Sequence, residues 1–369
     1  MSHTPDTPLI QELLSLTCPN CGSKMGYSAE EQQIKCDYCG HLEAYDTASN
    51  NVLELSLAEA VHRAPTTTTQ ELGKKVFDCQ SCGSRFMVES DRVKVDCGFC
   101  GSRNVNLEAY DHQYIQPSGI IPFKVSEAQA KAAFKGWIGR GIFHPGRLKR
   151  VAKANALHGI YIPHWTYDAQ TESDWSGEAG FHYYENKRVY VNGKWEVRQV
   201  QRTRWERRSG HLSHFFDDVL VVASGGLSQR DMQHILPFRL EEVVNFDPRL
   251  MVGWEAEIYN VELDRGYQVA DKIMDADIRN MCSHRLGGDV QRGLQVRSEK
   301  HGQTFKHVVL PVWISSYRYN DKVYHFVVNG QTGRVHGSKP LSWIRITIAI
   351  LLGLLIALAI WWFAEGGQL

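Results

Sequence analysis

The chain has 369 residues, 43% of them hydrophobic and 22% charged, with 41 basic side chains against 41 acidic ones. That length and apolar content are enough for more than one buried core, which excludes a chain too small to pack an interior. The balanced charge excludes a uniformly basic protein, yet it is uneven: up to residue 120, sixteen acidic side chains stand against nine basic ones, and the remainder holds the matching basic excess.

The opening residues, 1–15, form an N-terminal segment. Met1 to Thr17 includes Pro5, Asp6, Pro8 and Glu12 with no basic head before an apolar run, so no secretory signal is expected. Next comes a pattern used twice. Cys18-Pro-Asn-Cys21-Gly is followed by Cys36-Asp-Tyr-Cys39-Gly; Cys79-Gln-Ser-Cys82-Gly is followed by Cys97-Gly-Phe-Cys100-Gly. Each Cys-x-x-Cys puts two thiolates on one tight turn, and the glycine lets the backbone curl around a metal. Two such knuckles supply the four sulfurs of a tetrahedral zinc site, and the interval between knuckles is the same in both copies. The expectation is two structural Zn²⁺ ions, held by Cys18, Cys21, Cys36 and Cys39 in a ribbon over 16–46, and by Cys79, Cys82, Cys97 and Cys100 in a ribbon over 77–111. Tyr27, Ile34, Phe86 and Val93–Val95 read as the short strands between knuckles. Both copies end in a similar phrase, Leu42-Glu-Ala-Tyr45-Asp46 and Leu107-Glu-Ala-Tyr110-Asp111, which marks an internal duplication. A disulfide framework suits small secreted chains rather than this context.

The linker, 47–76, is predicted helical. Leu53, Leu57, Ala60 and Val61 fall at helical spacing within Asn50–Ala64, and Pro65 with Thr66–Thr69 breaks the helix.

From about Gln113 to Gly337 the pattern is α+β and also looks duplicated, with subdomains at 112–235 and 236–338. Ile121-Pro-Phe123 opens one half and Leu236-Pro-Phe238 the other. A helix follows in each, Ser126–Ile138 and Gly266–Arg285, and Ser126 with Gln129 forms a capping box. Each half then reaches Pro-x-Trp at the start of a strand, at Pro163-His-Trp165 and Pro311-Val-Trp313. Tyrosine-rich strands follow at Thr166–Ala169 and Ile314–Tyr319. Turns are predicted at Val191–Lys194, Tyr319–Lys322 and Asn329–Gly333.

The body shows no P-loop, no nucleophile elbow and no HExxH, so no enzyme is expected and no small-molecule substrate. Gly225-Gly226 and Gly287-Gly288 suit loops or helix caps better than phosphate cradles. His211 and His214 with Asp217 and Asp218 offer a metal set, against which stands the simpler reading of solvated side chains. Cys282 near His284 reads as a buried thiol rather than a nucleophile. Arg198, Arg202, Arg204, Arg207 and Arg208, interleaved with Trp205 and Glu206, are the best nucleic-acid candidate. The competing readings are an exposed hairpin face or a surface toward anionic lipid.

The last stretch is the most apolar. After a juxtamembrane segment, 339–345, Ile346–Phe363 has no charge and no proline, and Ala364–Leu369 follow as a short tail. Eighteen helical residues span about 27 Å, close to a hydrocarbon core. Trp343, Trp361 and Trp362 flank it, where headgroups sit. Arg334, Lys339 and Arg345 precede it, so a single-pass anchor is expected in the cell (inner) membrane with the N-terminal bulk cytoplasmic.

Together, the paired Cys-x-x-Cys-Gly ribbons, the Ile-Pro-Phe segment, the two Pro-x-Trp strands, the phrase from Tyr324 to Gly337 and the terminal span resemble a bacterial family of TFIIB-type zinc-ribbon membrane proteins. Its members often bear labels such as primosomal-protein-N′-like helicase or phage replication protein. A helicase needs a nucleotide site, and the P-loop is missing here. The resemblance implies no catalytic residues, and it implies protein partners of the flotillin-like or phage-shock kind. The expected function is therefore a tail-anchored adaptor whose ribbons recruit proteins to the membrane, the alternative being a nucleic-acid-binding zinc-ribbon protein of replication or transcription.

Overall fold

The computed structural model describes residues 17–45, 52–60, 66–68, 74–89, 96–107, 113–141, 143–145, 148, 157–191, 194–320 and 322–366. Over these residues the fold is α+β. The first ribbon is β1 (Met25–Ser28), β2 (Gln33–Cys36) and β3 (Leu42–Glu43), a separate antiparallel sheet. Its strands alternate, so Met25, Tyr27, Ile34 and Cys36 all point inward, as a period of two requires.

The linker corrects the helical expectation. β4 (Leu55–Ser56) is a strand, residues 57–59 turn, and only Ala60 is helical among the described residues; Asn50, Asn51 and residues 61–64 lie outside them. Helical spacing of Leu53 and Leu57 loses to pairing: Leu55 and Ser56 dock on Phe305 and Thr304 of a long strand, whose open edge offers backbone partners. β5 (Thr66–Thr68) pairs with β9 (Gln113–Ile115).

The second ribbon, β6 (Lys74–Cys79), β7 (Arg85–Glu89) and β8 (Val105–Leu107), belongs to the main sheet; Val93–Val95 lie outside the described residues. The body then supplies β10 (Gly119–Ile120), β11 (His158–Val191), β12 (Lys194–Val222), β13 (Val244–Asn245), β14 (Glu255–Glu257), β15 (Val290–Tyr319), β16 (Lys322–Asn329) and β17 (Val335–Gly337). Among the described residues the main sheet has twelve strands and branches. Three of them run far beyond the short strands expected, with 34, 29 and 30 residues in β11, β12 and β15. β11 and β12 form one antiparallel hairpin closed at Val191↔Lys194, as its turn signal predicted, although Asn192 and Gly193 are not among the described residues. β15 covers β11 only as far as Gly180↔Val290; past that level the hairpin continues as a bare two-stranded arm.

Helix α1 (Glu127–Ile138) has the predicted capping box at Ser126 and Gln129. α2 (Gln229–Ile235) is short, and α3 (Leu263–Leu286) buries Ala270, Met274, Ile278, Cys282 and Leu286, a stripe at every fourth residue laid on the sheet. The two Pro-x-Trp segments are neighbours in the sheet, with Tyr161↔Pro311 and Pro163↔Val309. Their contacts are reciprocal. β10, which leads to α1, runs parallel to β15; β14, which leads to α3, runs parallel to β11. The Trp313 indole on β15 donates to the Val125 carbonyl just before α1, and the Trp165 indole on β11 donates to the Val261 carbonyl just before α3, both at 2.8 Å. The two Pro-Phe segments are not equivalent. Phe123 stacks on Trp254 at 4.0 Å in one core, whereas Phe238 packs in another with Ile121 and Leu310.

The chain leaves the body at α4 (Trp343–Gly366), whose residues from Leu351 to Trp362 are all exposed. It is the one helix among the described residues long and apolar enough to cross a membrane. Its root is clasped: Lys339 Nζ donates to the Trp137 carbonyl at 2.7 Å, and the Ser342 amide donates to Phe143 at 2.8 Å.

Candidate metal centres

All four Cys-x-x-Cys-Gly segments fold into one knuckle. The glycine amide donates to the carbonyl of the first cysteine, Gly22 to Cys18, Gly40 to Cys36, Gly83 to Cys79 and Gly101 to Cys97, at 2.8–2.9 Å. These glycines have φ of 71°, 75°, 76° and 69°, a region strained for any side chain. The amide of the first cysteine then donates to the carbonyl five residues on, at Ser23, His41, Ser84 and Ser102. The sequence folds this way because the glycine permits the reversal that points both thiols of a pair to one side.

Each pair of knuckles converges. In the first cluster the sulfurs of Cys18 and Cys39 are 3.4 Å apart, and those of Cys21 and Cys36 3.6 Å. In the second the corresponding distances are 3.5 Å for Cys79–Cys100 and 3.7 Å for Cys82–Cys97. Sulfurs at the corners of a tetrahedron around an ion bound at about 2.3 Å stand about 3.8 Å apart. A disulfide needs about 2.05 Å, and all nine cysteines are free thiols. Both clusters are thus positioned to hold a metal ion.

Their electrostatics ask for a cation. Cys21 is lowered to about 6, chiefly by the Ser23 amide and hydroxyl. Cys82 is lowered to about 4, chiefly by the Cys97 thiol. Their neighbours move the other way: Cys97 is pushed up by Cys82 and by burial, and Cys100 up to about 11 by burial and the nearby thiols. One thiolate per cluster forms easily, and the next is resisted by the first. A metal ion removes that conflict.

The two centres differ in surroundings. In the first, Cys21 and Cys39 are exposed; in the second, Cys82 and Cys100 are half-buried. The first ribbon docks by few bonds, Tyr27 Oη to the Phe123 carbonyl at 2.9 Å, Trp254 Nε1 to the Tyr27 carbonyl at 3.1 Å, and the Arg249–Glu43 ion pair at 3.0 Å. The second is continuous with the body: β7 pairs with β14 through Met87↔Ala256 and Phe86↔Glu257, and Asn260 Nδ2 donates to the Gly83 carbonyl at 2.9 Å. Sequence reasoning missed Ser84, whose buried hydroxyl lies 3.2 Å from the Cys82 sulfur and 3.3 Å from that of Cys97. A signal existed, since serine follows Cys-Gly in three of the four knuckles, at Ser23, Ser84 and Ser102. Also missed was a cleft of about 550 Å³ beside the second centre, lined by Cys82, Cys100, Arg230, Asp231, His234 and His336. The rings of His234 and His336 stack at 4.0 Å, and burial together with His234 holds His336 below the usual imidazole value.

The remaining candidates disperse. His211 pairs with Glu172 at 2.7 Å and Asp174 at 2.9 Å, and His214 meets the Phe216 ring edge, so neither joins Asp217 and Asp218. Cys282 is fully buried on α3. Gly225 and Gly226 donate their amides to Glu257 Oε1 at 2.9 and 3.1 Å, an internal carboxylate, and Gly287 caps α3. Four of the five arginines in the run are ion-paired, two of them sharing one carboxylate. Arg198 pairs with Glu196, Arg202 with Glu185, and both Arg204 and Arg208 with Glu206, at 2.8–3.0 Å; Arg207 stands across the hairpin from Glu178.

No family model matches the chain, and no solved structure does. The chain is similar to the uncharacterized protein YdjG of Bacillus subtilis (strain 168), 26% identical over 335 residues that cover 89% of this chain and 91% of that one.

Proposed function

We propose that the protein is a non-enzymatic adaptor anchored in the cell membrane by α4, its N-terminal bulk cytoplasmic, with two structural Zn²⁺ ions shaping a surface that recruits other proteins. The observation that carries this reading is the saturation of both clusters: four converging sulfurs fill a tetrahedral site and leave no position for water or substrate. Zinc suits an all-thiolate set. The ion pairs on Arg198, Arg202, Arg204 and Arg208 weigh against nucleic acid, whose non-specific affinity comes from cations free to neutralise phosphates. The reciprocal Trp165 and Trp313 bonds support reading the body as two diverged copies. Flotillin-like or phage-shock proteins, which the family resemblance implies, are the partners to test.

The test uses the full chain, because the second ribbon shares a sheet with the body. In nanodiscs, it should bind random duplex or single-stranded DNA no more tightly than about 100 μM at physiological salt, the weak end of non-specific binding. It should also retain a defined protein partner through washing. A micromolar mobility shift that weakens steeply with salt would replace the adaptor with the nucleic-acid-binding reading.

A further inference from the structure

The sheet face that α3 does not cover holds a second kind of site. Thr166 and Asp168 lie two apart on β11 and so share a face. Across the ladder on β15 stand Lys306 and Thr304. On β12 the register jumps from Tyr167↔Val219 to Ala169↔Phe216, so that Asp217 and Asp218 together oppose Asp168. The ladder to β15 shifts at the same level, between Asp168 and Gln170. Bulges re-aim side chains, and here they gather carboxylates: ligand oxygens of Asp168, Asp217 and Asp218 lie within 4.8 Å of one another.

A cavity of about 570 Å³ opens over this cluster, lined by Glu54, Thr166, Asp217, Asp218, Glu241 and Lys306 among others. Four carboxylates face one ammonium. Lys306 is already engaged by Asp218 at 2.7 Å and Glu54 at 3.2 Å. Thr166 adds an independent sign. It is 1% exposed, it lines the cavity, and its Oγ1 has no hydrogen-bond partner among the described residues. A buried hydroxyl without a partner is costly, and a ligand that takes its lone pair removes the cost. Burial also pushes the Asp168 carboxyl above the usual aspartate value, although it accepts from the Asp218 amide at 2.6 Å and Thr304 Oγ1 at 2.8 Å.

We propose that this pocket is an oxygen-only site for one hard divalent cation, with Ca²⁺ the best fit, bound by carboxylates of Asp168, Asp217 and Asp218 and the hydroxyl of Thr166, water completing the shell. Among the described residues no imidazole or thiol lines the cavity, so its donors differ from those of the cysteine clusters and suit a hard cation. The bulged, open arrangement suits the flexible six to eight oxygens of Ca²⁺ at about 2.4 Å better than the tight octahedron of Mg²⁺. Lys306 keeps Glu54 as its counter-ion when the cation takes Asp218. The ion ties β11 to β12 at the root of the long hairpin, a role independent of the adaptor reading.

The experiment takes full-length, zinc-loaded protein in detergent micelles and chelator-stripped buffer. CaCl2 and MgCl2 are titrated by calorimetry, and melting is followed in parallel. One equivalent of Ca²⁺ should bind with a sub-millimolar Kd and raise the melting temperature by several degrees, with Mg²⁺ at least tenfold weaker. Asp217→Asn, at an exposed position, should weaken Ca²⁺ at least tenfold. Thr166→Val, which keeps the shape and deletes the unpartnered hydroxyl, should raise the melting temperature of the ion-free protein and weaken Ca²⁺ at least threefold. Glu299→Gln, an exposed acid elsewhere, should leave Ca²⁺ affinity unchanged. No saturable Ca²⁺ binding up to 5 mM overturns the site, as does wild-type affinity in both Asp217→Asn and Thr166→Val. Mg²⁺ binding as tight as Ca²⁺ overturns the assignment to Ca²⁺.

Discussion

Single atoms decide how each knuckle works. A cysteine in these clusters has no spare neighbour: removing Cys36 leaves three sulfurs and takes the first ribbon's inner cluster of Cys18, Met25 and Ile34 with it. Structural zinc contributes on the order of 10 kcal/mol or more to modules too small to fold on apolar packing. Cys36→Ser should therefore lower zinc from two ions per chain to one and unfold its own ribbon, leaving Cys79–Cys100 loaded; elemental analysis that finds one shared ion in the wild type refutes the pairing. Two histidines act in the core without touching metal. His164 and His307 are fully buried, and each Nδ1–H donates to a backbone carbonyl, Ile162 at 2.8 Å and Ile115 at 2.7 Å. Burial lowers their pKa values to about 3 and about 4, from an ordinary 6.5. Below pH 6.5 the unfolded chain binds protons that the folded chain refuses, so stability is present above that value and is lost as pH falls toward about 4. The double variant His164→Asn/His307→Asn keeps a donor for each carbonyl and should melt with a shallower dependence between pH 6.5 and 4. An unchanged slope removes the histidines from the acid response.

Elements meet through a few close approaches. α3 crosses the sheet where Gly266 faces Trp165 and Tyr167; a β-carbon there would sit 2.4 Å from Tyr167 Oη and 2.7 Å from Trp165 Cδ1. Neither ring can retreat easily, since Tyr167 Oη donates to Leu263 and the Trp165 indole to Val261, both at 2.8 Å. Gly266→Ala gains about 1 kcal/mol of helix propensity but overpacks a core at a typical cost of 1–3 kcal/mol. With both rings held, the clash wins, and chemical denaturation should show a net loss of up to about 2 kcal/mol. A stabilised Gly266→Ala protein contradicts the packing of α3 on β11. The long hairpin shows the opposite economy. Its arm past Gly180 is edge on both sides, and its cross-strand and near-neighbour ion pairs, such as Arg202–Glu185 and Arg204–Glu206, keep those edges polar.

At the scale of the whole molecule, one exposed apolar helix leaves a body whose sheet buries Trp165, Tyr161, Tyr167 and Tyr317, while Tyr184, Tyr190 and Trp195 stay exposed on the hairpin arm. Stopping the chain after Lys339 removes α4 but keeps the Lys339 ammonium on the Trp137 carbonyl, so the body should stay folded. The truncated protein should move from the membrane pellet to the soluble fraction, because no other described helix is long and apolar enough to span. A folded truncated protein that stays in the pellet after a high-salt wash refutes the single anchor.

Local chemistry was legible in the sequence. The four knuckles, the Ser126 capping box, the closure of the hairpin at Val191↔Lys194 and the apolar last helix each depend on residues a few positions apart, and a motif or a period records such spacing directly. Pairing across the chain was not. Leu55 and Ser56 form a strand because Phe305 and Thr304 present an edge some 250 residues later, which outweighs the helical period of Leu53 and Leu57. β11, β12 and β15 run so far because each supplies the other's backbone partners, while their half-polar outer stretches give a weak apolar signal. The same cause hid the cluster at Asp168: its members come from strands joined only in the sheet, gathered by bulges that no local pattern encodes. The sequence by itself determined where metal and membrane chemistry can reside; the tertiary structure decided what surrounds them, because backbone hydrogen bonds between distant strands answer to the whole fold.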